Sequence, residues 1–424
     1  MPERGANDPS QSLIRLHGGK GRGIVTTSDV SQGELLLVSL PVGPVLRAPE
    51  GYTLLPEHLA SALGQRQLSP ADRFRMLQLC SSNERSSNPA VTLQDLGEGA
   101  ALRVKVAESP QIPSKGFGAP AKSAPPPLDL DLSDERLLSV LAFSSHGAAR
   151  SDQGARMLRG EPQQAFLGES NSDGIALPFS TTGLWPEHSL LNHGCAPNAR
   201  AIVVGDALLV RAMAAIPKGS EVTTSYLTEG EAQSVGGTRR AALEKRYGFT
   251  CSCDRCLSEA SLPADIQRSL SGLQGLEPVG PGVEAATGLK GSCLGVQDRI
   301  DELEGLLEQS SVQDQLVARA AALTALRQAN ENGGERSAES RETAESALMA
   351  TLAYMAPGCG ALLDLTTVVL VSKREKYGKQ DPRVADLAKA WLRQHLHRYG
   401  AVSDAMLSAL VEARIAAKAA AQSS

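Results

Sequence analysis

The sequence reads LLNHGCAPN over residues 190–198 and YGFTCSCDRC over residues 247–256. Together the two stretches hold four cysteines, namely Cys195, Cys251, Cys253 and Cys256. Four thiolates can close a tetrahedral zinc site, and the CxCxxC spacing is typical of one. Ordinary buried cysteines, which pack as small hydrophobes, are the alternative. We predict that zinc ties the second stretch to the Asn-His loop of the first.

Composition is that of an ordinary globular protein. The chain has 424 residues, 42% hydrophobic and 21% charged, with a net charge of -5. This length suits one large domain or two to three ordinary ones. Because no basic run is interleaved with aromatic residues, direct binding to nucleic acid is not expected.

The cysteines and the apolar runs also bear on the compartment. Seven cysteines in a chain of 424 residues do not make a disulfide framework, and three of them lie within six residues, which favours metal binding in a reducing compartment. No apolar run reaches about 18 residues, so no membrane span is expected. The first twelve residues are polar and do not resemble a secretory signal. We expect an intracellular protein, in the cytoplasm or the nucleus, and a monomer.

The order of patterns predicts a mixed fold. Apolar runs predict strands at 24–25, 35–38, 201–204 and 207–210, the last two forming a hairpin. Helical spacing of apolar residues predicts helices at 53–80, at 134–144 and from 296 onward. Weak patterning at 81–130 indicates an insertion or linker, and the Gly-rich segment 258–295 indicates another linker.

Four motifs in this order resemble the SET-domain lysine methyltransferases. They are KGRGI at 20–24, SLLNHGCAPN at 189–198, EVTTSY at 221–226, and Phe249 with the CxCxxC cysteines. The resemblance is to the SMYD branch, in a form without the MYND zinc finger. Residues 51–130 hold only Cys80 and His58 as metal-ligand types of that finger, so it cannot be built. Gly194 stands where that family usually has serine.

The resemblance implies an α+β fold with three parts. A SET domain would span residues 14–257, with a helical insertion at about 51–132 and a zinc-bound post-SET segment at 247–257. A linker at 258–295 would follow. An all-α, TPR-like domain would then occupy residues 296–424.

The resemblance also implies the methyl donor S-adenosylmethionine as cofactor. Its binding residues would be Lys20, Gly21, Arg22, Gly23, Asn192, His193, Tyr226 and Phe249. Lys20 or Arg22 would face the cofactor's carboxylate, and Phe249 would stack on the adenine. Glycines at 21 and 23 would let the backbone approach a ligand closely.

Tyr226 is the candidate catalytic residue. Methyl transfer to a lysine amine needs the neutral amine, whose ordinary pKa is about 10.4. A narrow apolar channel would disfavour the ammonium form, and the tyrosine hydroxyl with backbone carbonyls would align the amine. The partner would be a protein that carries a target lysine, histone or non-histone.

Two other functions compete with this one. The SET core could be a weak or inactive remnant, with the C-terminal helices serving as a scaffold for partner proteins. A zinc hydrolase is the third possibility, but four cysteines form a closed site without an open position for water.

Overall fold

The computed structural model describes most of the chain, with gaps. The described residues are 12–17, 21–47, 56–64, 68–77, 134–147, 181–273, 294–323 and 338–412, and the single positions 54, 79, 155, 158 and 326. Cys80, Cys293 and the predicted linker at 81–130 lie outside them.

In the described part of the chain, ten short strands form three small sheets. In chain order, β1 to β5 are Ser12–His17, Gly21–Thr26, Leu35–Ser39, Leu46–Arg47 and Ser145–His146. Strands β6 to β10 are Thr181–Leu184, Asn192–His193, Ala199–Val204, Ala207–Ala212 and Glu221–Thr224. The sheets have the orders β1-β2-β10-β7, β3-β9-β8 and β4-β6-β5.

The first sheet brings distant parts of the chain together. Strand β10 pairs with β2 in antiparallel register, with Val222 opposite Ile24. Its other neighbour is β7, which it pairs in parallel register, with Thr223 opposite Asn192. Strand β10 therefore lies between the Gly-containing strand β2 and the Asn-His strand β7.

The predicted hairpin at 201–210 is confirmed by β8 and β9. Ile202 pairs with Leu209, and Gly205 turns the chain with a φ of 60°. Such a positive φ favours glycine because it has no Cβ. Alternate residues of these strands enter one apolar core, which also contains Ile24, Leu191, Trp185 and Val222.

Helices occur in and just after the predicted insertion, within its described residues, and flank the cysteines. The first three are α1 Pro56–Gly64, α2 Pro70–Leu77 and α3 Asp134–Ser144. Around the CxCxxC stretch lie α4 Glu229–Gln233, α5 Gly236–Tyr247 and α6 Asp254–Ala260. Leu59 and Leu63 of α1 pack with Leu137 and Leu141 of α3, as their helical spacing predicts.

A buried ion pair anchors α2 to the SET-like core. The Arg75 guanidinium donates through Nε and Nη2 to the two Glu187 carboxylate oxygens, at 3.0 Å each. Arg75 is 3% exposed and Glu187 is fully buried. Ser39 donates a short hydrogen bond to the same carboxylate. Since α2 lies in the predicted insertion, this ion pair helps to hold that segment to the core, beside the apolar contacts of Met76.

Arg75→Met is expected to lower the free energy of unfolding by about 3–5 kcal/mol, because it leaves Glu187 charged and buried without its cation. Urea unfolding followed by tryptophan fluorescence measures the loss. The matched control is Arg47→Met. Its partner is Asp206 at 2.6 Å, and the two side chains are 54% and 63% exposed. Such a surface pair contributes about 0–1 kcal/mol. Equal losses in the two variants would contradict the anchoring role.

The described residues that follow are mainly helical. They comprise α7 Ala264–Leu273, α8 Leu294–Leu307, α9 Val312–Ala321, α10 Ala338–Met355, α11 Gly360–Tyr377, α12 Pro382–Tyr399 and a last helix at 404–412. The predicted linker at 258–295 is wrong for its first part, because α6 reaches Ala260 and α7 follows. Ile266, Leu270 and Leu273 give α7 a buried face against Ile300 and Leu303 of α8. The glycines later in the predicted linker made this short apolar stripe hard to recognise in the sequence.

Helices of the C-terminal part pack on the β8–β9 hairpin. Leu363 of α11 and Tyr399 of α12 share a buried cluster with Ile202. Arg200 of β8 donates to the Pro357 carbonyl at 3.0 Å. Within the described parts of the chain, every helix is too short or too polar to cross a bilayer.

Candidate active site

The four predicted cysteines meet. Their Sγ atoms all lie within 4.8 Å of one another, and no other such group of metal-ligand side chains occurs among the described residues. Cys195 Sγ is 3.8 Å from Cys251 Sγ and 3.6 Å from Cys256 Sγ. A tetrahedron with Zn–S bonds of about 2.3 Å has edges of about 3.8 Å. The cluster therefore has the size and the ligand type of a structural zinc site.

Local structure favours a thiolate at Cys253. Cys253 is the N-cap of α6, where the helix dipole favours negative charge. Hydrogen bonds from Cys195, Cys251 and Cys256 lower the pKa of Cys253. The hydrogen bond with Cys251 raises the pKa of Cys195.

Two buried arginines lie next to the cysteines. Arg239 of α5 is fully buried, and its Nη2 lies 2.6 Å from Glu259 Oε2 and 3.9 Å from Cys256 Sγ. Arg255 of α6 is 2% exposed and donates from Nε to Glu259 Oε1 at 2.9 Å. Burial lowers the pKa of Arg239, but Glu259 and the thiols outweigh it, so the net shift is upward.

Two arginines place positive charge beside the cysteines. A zinc ion with four thiolates carries two excess negative charges. Arg239 and Arg255 offset them, and Glu259 returns one negative charge. The sum is one negative charge with zinc and four thiolates and one positive charge with four neutral thiols, so the size and ligand type of the cluster, rather than its charge, indicate the metal site.

His193 joins the cysteine cluster to Tyr226. Its Nδ1 accepts from the Tyr226 backbone N–H at 3.0 Å, so the proton is assigned to Nε2. Nε2 then donates to Cys195 Sγ at 3.2 Å. The ring is 5% exposed, and both of its nitrogens have protein partners. The ring of His193 therefore has no nitrogen left for the cofactor, and only its backbone groups could take the predicted role.

Asn192 is held against the Gly-containing strand. Its Nδ2 donates to Glu221 Oε1 at 2.7 Å. A Cβ on Gly23 would lie 2.6 Å from Asn192 Nδ2 and 2.8 Å from Glu221 Oε1, so a larger residue there would have to displace the Asn192–Glu221 pair. Asn198 fastens the same region by donating from Nδ2 to the Glu221 carbonyl at 2.8 Å.

Aromatic rings surround Tyr226. The Tyr226 ring centroid lies 5.0 Å from that of Tyr247 and 6.5 Å from that of Phe249, the latter at an interplanar angle of 87°. Phe143 of α3 packs edge-on against Tyr247 at 6.0 Å. The Tyr226 hydroxyl donates to the Leu191 carbonyl at 2.7 Å. Burial raises the pKa of Tyr247, so its phenol stays protonated at neutral pH.

The predicted site residues fall into three groups. Gly23, Asn192, His193, Tyr226 and Phe249 lie together, next to the four cysteines. Gly21 and Arg22 lie in β2, but only their backbone is described. Lys20 lies outside the described residues.

Sequence reasoning missed four residues that the structure places here: Tyr247, Glu221, Arg239 and Arg255. Tyr247 had a usable signal, since it lies two residues before Phe249. The charged residues carried no such signal, because charged side chains usually face solvent.

Comparisons with known proteins agree with these motifs. The family model described as SET domain matches residues 21–227. Histone-lysine N-methyltransferase ASHR1 of Arabidopsis thaliana is 41% identical over 87 residues, 20% of this chain and 17% of that protein. Histone-lysine N-methyltransferase SMYD3 of Mus musculus is 40% identical over 77 residues, 18% of this chain and 17% of that protein.

Other similarities are more distant or partial. Protein-lysine N-trimethyltransferase SMYD5 of Gallus gallus is 32% identical over 114 residues, 25% of this chain and 27% of that protein. The matches thus span less than a third of each relative's own length. The crystal structure of the SET domain of LSMT bound to lysine and AdoHcy aligns with 91% of this chain and 92% of that chain. Its TM-score of 0.24 and identity of 14% are too low to support an argument.

The predicted family resemblance is therefore confirmed: the chain contains a SET domain, at residues 21–227, that is related in sequence to those of the SMYD-type lysine methyltransferases.

Proposed function

We propose that this protein transfers a methyl group from S-adenosylmethionine to the ε-amine of a lysine in a protein substrate. The observation that carries the proposal is that neighbouring residues hold Tyr226 at its hydroxyl, its backbone and its ring. Its hydroxyl is fixed on the Leu191 carbonyl, its backbone on His193, and its ring against Tyr247 and Phe249.

The cofactor would lie beside Asn192. Among the described residues, none donates a hydrogen bond to Asn192 Oδ1, while Nδ2 is held by Glu221. Oδ1 is therefore free to accept from an ammonium group, which the cofactor carries. Phe249 offers an aromatic face for the adenine. Lys20 or Arg22 would pair with the cofactor's carboxylate.

The cysteine cluster would hold one structural zinc ion. The proposed post-SET segment at 247–257 would be fastened by it to the Cys195 loop, which keeps Phe249 near Tyr226. Four thiolates leave no open position, so the ion would have no role in the reaction itself. The rival function of a zinc hydrolase is disfavoured by the same ligand set.

The reaction needs a neutral lysine amine in line with the methyl group. S-adenosylmethionine supplies that methyl from a sulfonium. The rings of Tyr226, Tyr247 and Phe143 would desolvate the amine, which lowers its pKa. The Leu191 carbonyl has a second lone pair for the amine, beside the one that Tyr226 occupies. Most of the rate would come from this positioning.

The C-terminal helices would form one wall of the cleft for the protein substrate. Their short connections at 356–359 and 378–381 are those of helices packed in consecutive pairs, as in a TPR-like domain. Two statements remain predictions: that residues 296–424 form a domain, and that the protein is a monomer.

Asn192→Ala is expected to weaken cofactor binding by about 10- to 100-fold, since a hydrogen bond to a charged group contributes about 1.5–3 kcal/mol. Calorimetry with S-adenosylhomocysteine measures this loss of affinity. Gln313→Ala, on the exposed surface of α9, is the control and should bind normally. Unchanged affinity in Asn192→Ala would remove Asn192 from the cofactor site.

The proposed function is tested by transfer of a labelled methyl group to whole-cell lysate. Labelled proteins are expected with the wild type and not with Tyr226→Phe. A wild-type protein that binds S-adenosylhomocysteine and labels nothing would favour the scaffold alternative.

A further inference from the structure

Arg255 joins three segments that are far apart in the sequence. Its Nη1 donates to the Cys195 carbonyl at 3.1 Å and to the Ala232 carbonyl at 2.8 Å. Its Nη2 donates to the Ala320 carbonyl at 2.9 Å. With Nε on Glu259, the guanidinium is thus bonded on all sides. One planar side chain therefore contacts the Asn-His loop, helix α4 and helix α9.

The bond to Ala320 reaches the C-terminal helices. Ala320 is fully buried and lies in the last turn of α9, where carbonyl groups favour a positive partner. It packs with Leu323, Leu352 and Met355, so it belongs to the core between α9 and α10. Arg255, which lies between Cys253 and Cys256 in the chain, thus ties that core to Cys195, another ligand of the proposed zinc.

We propose that Arg255 is a positioning residue that couples the C-terminal helices to the cysteine cluster. The effect on the cofactor rests on the proposed function, but the coupling itself does not. The physical reason is the fork of the guanidinium, whose fixed donors hold several carbonyls at set positions. Loosening α9 would release the Cys195 carbonyl, and with it the adjacent Asn192-His193 pair.

Two variants separate this role from charge balance. Arg255→Lys keeps the positive charge but cannot reach the Cys195, Ala232 and Ala320 carbonyls together. Glu259→Gln removes the carboxylate that pairs with Arg239 and Arg255, and it leaves the three carbonyl bonds of Arg255 in place. Both variants keep the volume of the site nearly unchanged.

Hydrogen exchange of the α9 amides is the main readout, with zinc present and after its removal by a chelator. In the wild type, removing zinc should speed exchange in α9 by about tenfold, because coupling is reciprocal. In Arg255→Lys, α9 should exchange fast already, and removing zinc should add little. Zinc affinity should fall about 10- to 100-fold, as for other residues that orient metal ligands. Glu259→Gln should keep the wild-type response of α9.

Two results would overturn the proposal. One is an α9 response to zinc removal that is the same in Arg255→Lys and in the wild type. The other is a Glu259→Gln protein that matches Arg255→Lys in α9 exchange, since charge alone would then explain both. Neither measurement needs methyl transfer. A protein without transferase activity could therefore still show the coupling, and an active one could lack it.

Discussion

Tyr226→Phe is expected to lower the rate of methyl transfer by about 10²-fold and to leave affinity for S-adenosylhomocysteine within about twofold. The change removes one hydroxyl, the donor to the Leu191 carbonyl at 2.7 Å, and almost no volume. The amine and the methyl then lose a fixed partner, and a misplacement of about 1 Å costs on the order of 10²-fold in rate. An interaction felt only in the transition state lowers kcat without weakening binding.

Single-turnover rates and calorimetry on the same protein check this result. Tyr354→Phe is the matched control, because its hydroxyl only accepts a long bond of 3.4 Å from Gln313, on the C-terminal helices. That variant should react at the wild-type rate. Full activity in Tyr226→Phe would mean that Tyr226 serves only to pack the aromatic group.

Cys253→Ser is expected to abolish zinc binding and to lower cofactor affinity and activity together. A structural zinc contributes about 10–16 kcal/mol of binding free energy to the fold around it, and serine is a poor substitute for a thiolate ligand. Without the ion, the segment that carries Tyr247 and Phe249 should detach from the Cys195 loop. Metal analysis of the purified protein should give one zinc in the wild type and almost none in the variant.

Cys359→Ser is the control for this substitution. Cys359 is buried, and its Sγ caps helix α11 by accepting from the Leu362 N–H at 3.3 Å. Serine is a preferred N-cap, so that variant should keep zinc, cofactor affinity and activity. Normal cofactor affinity in a zinc-free Cys253→Ser protein would refute the coupling of zinc to the cofactor site. A wild-type protein without zinc would refute the metal site.

Tyr226→Phe and Cys253→Ser are expected to change different quantities, so measuring both distinguishes the two roles. Tyr226→Phe should separate rate from affinity, whereas Cys253→Ser should reduce both. If both variants lost affinity alike, Tyr226 would be a binding or folding residue and its assignment as catalytic would fail.

Several features followed from the sequence alone because they depend on local spacing. The β8–β9 hairpin follows from two apolar runs around Gly205, and α3 follows from leucines at helical intervals. The CxCxxC spacing identified three of the four cysteines as a ligand group. The motif order then placed Cys195, Asn192 and Tyr226 in one site, and the structure brings them together.

Other features were decided by tertiary structure, since they join residues whose types carry no local signal. Arg75 and Glu187 are 112 positions apart, and each alone looks like a surface residue. Arg239, Arg255 and Glu259 likewise become buried only because the thiols and each other's charges satisfy them. Helix α7 was not predicted, because its sequence lies next to a Gly-rich stretch and its apolar face is buried only by packing against α8. Ligand spacing and apolar periodicity are thus readable in the chain itself, whereas the burial of a charge depends on partners that only folding brings near.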